Sequence, residues 1–290
     1  LLESSAPPWV GVKPHNERSE AQLSPMRSLA LAALSLLIPA GALRLAPACR
    51  SRVVAPRMTD VPASENVAVV LLAGGSGSRM KADRPKQFLE LRGKPVLEHS
   101  IDLLLGVQQL TALVIVIAEE FRTMDFVAAA AARDSRVQFA DPGKERQDST
   151  WNGLEAVPKE CTIVAIHDAA RPLVTLDAVH TCIADGAEHG AAVLAVPMKA
   201  TVKEGADGFV TQTLDRSKLW EVQTPQVVRP QLLRDGFAKV RAEGLEVTDD
   251  VSIVEQLGAP VKLTMGEYTN LKLTTPEDMV IADQILAGRD

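Results

Sequence analysis

The sequence predicts an α/β fold: a Rossmann-like, mostly parallel sheet with helices on both faces and a projecting β-hairpin arm. Three observations carry this. Short runs of Val, Ile, Leu and Ala recur without polar alternation, as strands buried on both faces do. Between them lie longer segments with helical apolar spacing. One stretch, residues 198–220, breaks the rhythm: it alternates, is poorly apolar and turns at Gly205-Ala-Asp-Gly208.

Taken in order, Val67-Ala-Val-Val-Leu-Leu72 reads as a buried strand, and 96–107 as a helix with apolar residues at 96, 97, 101, 103, 104 and 105. Leu113-Val-Ile-Val-Ile-Ala118 is a second buried strand and 121–132 a second helix. A short strand at 137–140 and a helix at 150–156 follow, then a strand at 161–166, a helix at 176–188 and a strand at 191–196. The hairpin arm comes next, and an exposed hairpin is an aggregation hazard unless paired, so pairing with a second copy of the chain is expected. Helices near 232–242 and 249–257, a strand at 261–264 and a helix from Pro276 close the chain.

The 290 residues carry a net charge of −6, with 46% hydrophobic and 23% charged residues, which argues against a broad nucleic-acid footprint. Cys49, Cys161 and Cys182 have no metal-ligand spacing, so buried free thiols are expected. From Met26 to Met58 the chain has Arg27, Arg44, Arg50, Arg52 and Arg57 and no acidic residue. Leu29–Leu43 is an apolar run, shorter than the ~20 residues that span a bilayer and of the length of a signal-type core. Ala46-Pro-Ala48 resembles a small-residue cleavage site, and the basic, acid-free stretch after it has transit-peptide composition. Residues 1–65 therefore read as a targeting or disordered extension and 66–290 as the folded domain. The other reading of the run is a core helix or a membrane anchor.

In a parallel sheet, ligands sit beyond the carboxyl ends of the strands. The first strand ends in Leu72-Ala-Gly-Gly-Ser-Gly-Ser-Arg79. Glycines let backbone N–H groups approach phosphate oxygens; the same residues also suit a tight strand-to-helix turn. No Gly-Lys-Ser/Thr closes the loop and the spacing is not that of a dinucleotide fingerprint. Arg79 and Lys86 supply cations that suit a triphosphate and the charge built up in phosphoryl transfer. Asp168 and Arg171 directly follow another strand, either as polar groups for a ligand or as a structural Asp–Arg pair.

The glycine loop and Arg84-Pro-Lys-Gln-Phe-Leu89 resemble the nucleotidyltransferase superfamily, of nucleotide-diphospho-sugar transferase type. Further blocks follow in order: Pro142–Ser149, His167–Pro172, Thr213–Trp220, Gln223–Gln226, Val247–Asp250 and Tyr268–Asp278. Together they resemble the 2-C-methyl-D-erythritol 4-phosphate cytidylyltransferases of the non-mevalonate isoprenoid route, in their plant and algal plastid form, over about residues 66–288. Ala200-Thr201, where bacterial members often have Asp-Thr, and Gly74, where many have Ala, are marks of that subtype.

The resemblance implies transfer of CMP from CTP to methylerythritol phosphate. It implies that Ala73, Gly74, Gly75 and Ser76 hold ribose and phosphates, that Gly143 and Ser149 read cytosine, and that Arg79 and Lys86 stabilise the transition state. It implies that Arg216 and Lys272 position the acceptor phosphate, with Arg216 reaching a neighbouring subunit's site from the arm of a homodimer. Asp168 is expected near both the ribose and the acceptor hydroxyls, with Arg171, Thr201, Thr224 and Thr248 on the acceptor side. Mg2+ is the expected cofactor, with its protein ligands unassigned. A plastid location is expected, the alternative being cytoplasmic, with no stable membrane association of the mature protein. The competing readings are ribitol-5-phosphate cytidylyltransferase and a non-catalytic nucleotide-binding relative. Arg79, Lys86, Arg216 and Lys272 argue against the second, since such relatives lose their cations.

Overall fold

The computed structural model describes residues 60–75, 80 and 84–289. Expectations that fall on 1–59, on Ser76 and on Arg79 lie outside the described residues.

Strand β1 (Val67–Leu72) lies in the interior of a seven-stranded sheet, beside its middle strand. It runs parallel to β4 (Leu110–Val116) on one side and to β6 (Ile163–Asp168) on the other, and β5 (Val137–Ala140) continues parallel beyond β4. Its side chains alternate between two cores. Val67, Val69 and Leu71 join one, with α1 (Val96–Leu104), α2 (Asp125–Arg133) and α4 (Leu176–His189). Ala68 and Val70 join the other, with α3 (Arg146–Glu155), α5 (Pro230–Glu243) and α6 (Asp250–Glu255). Burial on both faces is why this strand tolerates no polar alternation. Gly153 lets α3 lie close to the sheet: an added Cβ would overlap Val70 Cγ1 and stand 2.9 Å from Val116 Cγ2.

The other half of the sheet is mixed. β10 (Trp220–Val228) lies between β6 and β7 (Ala191–Pro197), antiparallel to both. β11 (Lys262–Met265) pairs parallel with β7 at the edge. Four of the six neighbouring pairs are parallel, so the sheet is mostly parallel as expected. β10 itself corrects the sequence reading, which ended the arm at residue 220 and saw no strand beyond it. Gln223, Thr224, Pro225 and Gln226 interrupt the apolar run, and Pro cannot donate to a ladder. The pairing with β7 indeed shifts register between Val222 and Gln226. The polar side chains are buried all the same, because Gln223 Nε2 donates to the Glu267 carbonyl at 2.9 Å and Thr224 and Gln226 find the partners described below.

Helix limits also moved. α2 starts at Asp125, after a 3-10 turn at Glu119–Phe121, and α3 starts at Arg146. The earlier start of α3 follows from Asp148, whose carboxylate accepts the Glu145 N–H at 3.0 Å. The arm is a two-stranded ribbon, β8 (Lys203–Ala206) and β9 (Phe209–Thr213), every residue of which is exposed. Phe209 is 78% exposed and Val210 63%. A small hairpin, β2 (Glu90–Leu91) and β3 (Lys94–Pro95), packs with α7 (Pro276–Ala287) through Leu91, Leu273 and Ala282. Among the described residues no helix is long and apolar enough to cross a membrane.

Candidate active site

A cavity of about 440 Å3 opens at the carboxyl ends of β1 and β6, where a parallel sheet places its ligands. Ala73, Gly74 and Gly75 form one wall, directly after β1. Gln87 fixes this wall from behind, its Nε2 donating to the Ala73 carbonyl at 2.6 Å. Lys86 faces the same space and donates to the Leu273 carbonyl at 3.0 Å.

A second wall is the turn entering α3, which meets the first where Gly74 packs against Pro142. The Gly143 N–H donates to Ser149 Oγ at 2.9 Å, and that hydroxyl donates to the Glu145 carbonyl at 3.1 Å. A Cβ on Gly143 would overlap the Asp148 side chain and lie 2.9 Å from Ser149 N, so only glycine fits. Such a turn offers backbone donors and acceptors at fixed positions, which is what reading a flat heterocycle needs.

Asp168 is the centre of the site's electrostatics. It is the last residue of β6 and is buried. Its Oδ1 accepts from Arg146 Nη2 at 3.1 Å and Nε at 3.2 Å, and its Oδ2 from Lys272 Nζ at 2.6 Å. Burial by itself would raise the carboxyl pKa; the charges of Arg146 and Lys272 outweigh it and hold the group well below the usual carboxylate range. Arg146 is in turn gripped by Asp250, at 2.9 and 2.8 Å, and Thr150 donates to the same carboxylate at 2.8 Å. The Gln226 side-chain carbonyl accepts the N–H groups of Asp250 and Val251, at 2.7 and 3.0 Å. This is the partner that allows Gln226 inside a buried strand.

Behind Asp168 lies a second, uncharged network. His167 is fully buried. Its Nε2 stands 3.1 Å from the Arg171 carbonyl, which can only accept, so Nε2 carries the ring proton. Nδ1 then accepts from the Thr224 hydroxyl at 3.0 Å, and Thr224 Oγ1 accepts the Asp168 N–H at 3.1 Å. Burial lowers the His167 pKa to about 4, against the opposing pull of Asp168.

The structure thus gathers Ala73, Gly74, Gly75, Lys86, Gly143, Ser149, Asp168 and Lys272 around one cavity. Five expected residues are elsewhere. Thr224 is buried behind Asp168. Arg171 is buried too, and its guanidinium donates to the carbonyls of Asn270 at 2.7 Å and Val222 at 3.3 Å. The partners of Asp168 are accordingly Arg146 and Lys272, and the Asp168–Arg171 pair weighed from the sequence does not form by hydrogen bonding. Thr248 is exposed and borders a separate cavity of about 100 Å3. Thr201 and Arg216 are exposed, with Arg216 Nη1 donating to Lys199 O at 2.8 Å at the base of the arm.

Arg146, Asp250, Gln87 and Asn270 were not singled out from the sequence. Each lies inside one of the ordered blocks, which was the available signal, yet only the fold shows that they meet. Cys161 and Cys182 are free and buried, as expected.

The chain is similar in sequence and in fold to known proteins. The sequence model of the 2-C-methyl-D-erythritol 4-phosphate cytidylyltransferase family matches residues 67–288. The chloroplastic protein of that name from Oryza sativa subsp. japonica is 48% identical over 222 residues, 76% of this chain and 74% of its own. The one from Geobacillus kaustophilus (strain HTA426) is 42% identical over 225 residues, 77% of this chain and 98% of its own. Among solved structures, the 4-diphosphocytidyl-2C-methyl-D-erythritol synthase of Anaerococcus prevotii DSM 20548 superposes with a TM-score of 0.69 at 28% identity, covering 77% of this chain and 99% of its own. The 2-C-methyl-D-erythritol 4-phosphate cytidylyltransferase of Thermus thermophilus gives 0.64 at 29% identity, over 77% and 99%.

The neutral, buried imidazole makes stability depend on pH. Its folded pKa is about 4 and its ordinary value 6.5, so unfolding takes up a proton between those limits. This contribution is therefore present above pH 6.5 and lost as pH falls toward 4, by at most ~3 kcal/mol. Urea unfolding of wild type and His167→Gln at pH 7.5, 6.5, 5.5 and 4.5 should show their stability difference shifting against the wild type on acidification. A difference that stays constant across that range would contradict a buried neutral ring.

Proposed function

The chain belongs to the 2-C-methyl-D-erythritol 4-phosphate cytidylyltransferase family, and we propose that the cavity beyond β1 and β6 is where it carries out that family's reaction. It transfers CMP from CTP to 2-C-methyl-D-erythritol 4-phosphate, giving 4-CDP-2-C-methyl-D-erythritol and pyrophosphate, in isoprenoid precursor biosynthesis. The observation that carries the assignment of the site is the meeting of Arg146 and Lys272 on Asp168 in a cavity that Lys86 and the glycine wall also line.

The chemistry follows from charge. An oxygen of the acceptor phosphate attacks the α-phosphorus of CTP, and the bond to the β-phosphate oxygen breaks in line, releasing pyrophosphate. A phosphate dianion needs no base to activate it. Asp168 is in any case a poor base, since its carboxyl is held ionised. It serves as an acceptor for ribose or acceptor hydroxyls. Bringing two polyanions together is opposed by repulsion, so the catalytic task is neutralisation and alignment. Lys86, together with Arg79, takes the charge growing on the transferred group. Lys272, with Arg216, aligns the attacking phosphate. Ala73–Gly75 and Ser76 lie along the nucleotide's phosphates, and Gly143 and Ser149 at the cytosine. Arg171, Thr201, Thr224 and Thr248 are acceptor-side residues by resemblance; of these, Arg171 and Thr224 act from behind the cavity wall.

We infer Mg2+ as the cofactor. Among the described residues no three His, Cys, Asp or Glu side chains could hold a metal by themselves. Asp168 beside a triphosphate nonetheless fits an ion that takes one or two carboxylates and completes its shell with phosphate and water. Bound there, Mg2+ would neutralise phosphate oxygens.

Purified protein given CTP and methylerythritol phosphate should release pyrophosphate, while ribitol 5-phosphate should be a poor acceptor. Lys86→Ala should lower kcat by about 10²- to 10³-fold with an unchanged circular dichroism spectrum. Retained turnover would remove Lys86 from its role.

We infer a homodimer through the arm, supported by the exposed Phe209 and Val210 and by the separation of Arg216 from the cavity of its own chain. If Arg216 serves the neighbouring site, mixing inactive Lys86→Ala and Arg216→Ala chains should restore about a quarter of wild-type activity, from the one intact site in each mixed dimer. No restoration would place Arg216 in its own chain's site or outside catalysis.

A plastid location is inferred from the basic, apolar N-terminal segment and from the chloroplastic rice relative. A fluorescent fusion carrying residues 26–65 should enter plastids of an algal or plant cell; a cytosolic signal would overturn this.

A further inference from the structure

Three chain segments meet behind the cavity. They are the turn that ends β6 (His167–Arg171), the interrupted part of β10 (Gln223–Gln226), and the loop before α7 that carries Lys272 (Asn270–Leu273). What joins them is a set of buried polar side chains that do not line the cavity. His167 is 0% exposed, Asn270 1% and Thr224 4%.

The bonds run in one consistent direction. His167 donates from Nε2 to the Arg171 carbonyl, and the Arg171 N–H donates to the Asp168 carbonyl at 2.9 Å, closing the turn on both sides. Thr224 donates to His167 Nδ1 and accepts the Asp168 N–H. Arg171 donates to the Asn270 carbonyl, and Asn270 Nδ2 donates to the Thr224 carbonyl at 3.0 Å. Leu273 N–H donates to Ala170 O at 2.7 Å. Asp168 and Lys272 emerge from opposite ends of this node and meet at 2.6 Å on its cavity side.

Asp168 and Lys272 come from parts of the chain 104 residues apart, so their alignment is not local. We propose that His167 is a positioning residue for nucleotidyl transfer: with Thr224 it sets the Asp168 backbone, and through the Arg171 turn and Asn270 it sets the loop that holds Lys272. Thr224 on this view acts on the acceptor through Asp168, its hydroxyl being engaged on both sides. The proposal rests on the placement of Asp168 and Lys272 in the active site.

The node has a selective consequence. None of the His167 bonds reaches the glycine wall or the Gly143–Ser149 turn, which hold most of the nucleotide. Disturbing it should misplace the acceptor-aligning groups and touch CTP only through the single contact of Asp168 with its ribose. A displacement of about 1 Å at such groups costs on the order of 100-fold in rate. A buried donor or acceptor left without its partner costs about 1–3 kcal/mol of stability, so folding must be monitored alongside.

The test uses full-length protein and four variants. His167→Phe keeps ring volume and removes both bonds; His167→Gln keeps a donor near the Nε2 position. Thr224→Val is isosteric without the hydroxyl; Thr224→Ser restores it. For each, kcat and KM are measured with both substrates, CTP affinity by calorimetry and folding by thermal melt. His167→Phe and Thr224→Val should lower kcat/KM for methylerythritol phosphate by about 10- to 100-fold, with CTP affinity within about threefold. Thr224→Ser and His167→Gln should recover most of the loss. If His167→Phe does not fold, Thr224→Val decides alone. Wild-type-like kinetics in folded Thr224→Val, or equal losses for CTP and acceptor tracking a lower folded fraction, would overturn the proposal. A wild-type protein that bound CTP yet turned over no methylerythritol phosphate would instead overturn the functional reading.

Discussion

The buried carboxylate of Asp168 at the end of β6 organises the rest of the site. An ionised side chain taken from water must be paired, and removing one partner of such a pair costs about 3–5 kcal/mol. Asp168 has two cationic partners, from α3 and from the loop before α7. Arg146, brought inward by Asp168, needs its own neutralisation, and Asp250 at the start of α6 provides it. One charge on a central strand thereby fixes three elements far apart in sequence. It also explains the polar residues of β10: Gln226 holds the α6 backbone that presents Asp250, and Thr224 holds Asp168 from behind.

Two kinds of interaction position the site, and they differ in range. The apolar cores locate the strands and helices but leave freedom of sliding and tilt. The polar bonds set the last ångström. Gln87 against Ala73, Ser149 against Gly143 and His167 against Arg171 are all side chains satisfying backbone groups at the ends of elements, where the regular ladder stops. Strand ends are where the backbone lacks partners and where ligands bind, so side chains that complete the backbone there also shape the cavity.

The same division decides what could be read from the sequence. β1, β4, β6 and β7 were legible because burial on both faces leaves an unbroken apolar run; β5, a half-buried edge strand, was legible only as a short run. β10 was not, because its central residues are polar and include Pro225, and their burial depends on partners contributed by β6, α6 and the loop at Asn270. Gly143 and Asp168 were legible because they sit at a glycine turn and at a strand end, and Lys86 because it is a cation in the block that follows the glycine loop. Arg146 was inside such a block, but nothing local distinguishes it from the neighbouring Lys144. Only the meeting with Asp168 and Asp250, 22 and 104 residues away, gives it a role. Thr224 and Arg171 were placed by resemblance on the acceptor side; their hydrogen bonds face inward.

Charge distribution connects these observations to the reaction. The whole chain carries −6, a field that opposes approach by CTP and by a phosphorylated acceptor. The cavity has the opposite sign: Lys86, Lys144, Arg146 and Lys272 line it against Glu145 and Asp168. At a separation of 4 Å two unit charges interact by about 4 kcal/mol at an effective dielectric of 20 and about 1 kcal/mol in water. Surface charges farther away than the Debye length of about 8 Å are largely screened by salt, while those lining a half-enclosed cavity are screened much less. The local excess of cations therefore outweighs the global acidity at the point of binding. An unpaired cluster of cations in that space would repel itself, and this is the physical need that Asp168 and Asp250 answer. They keep Arg146 and Lys272 close together before a polyanion arrives, so that the site is ordered in advance of the charge it must hold.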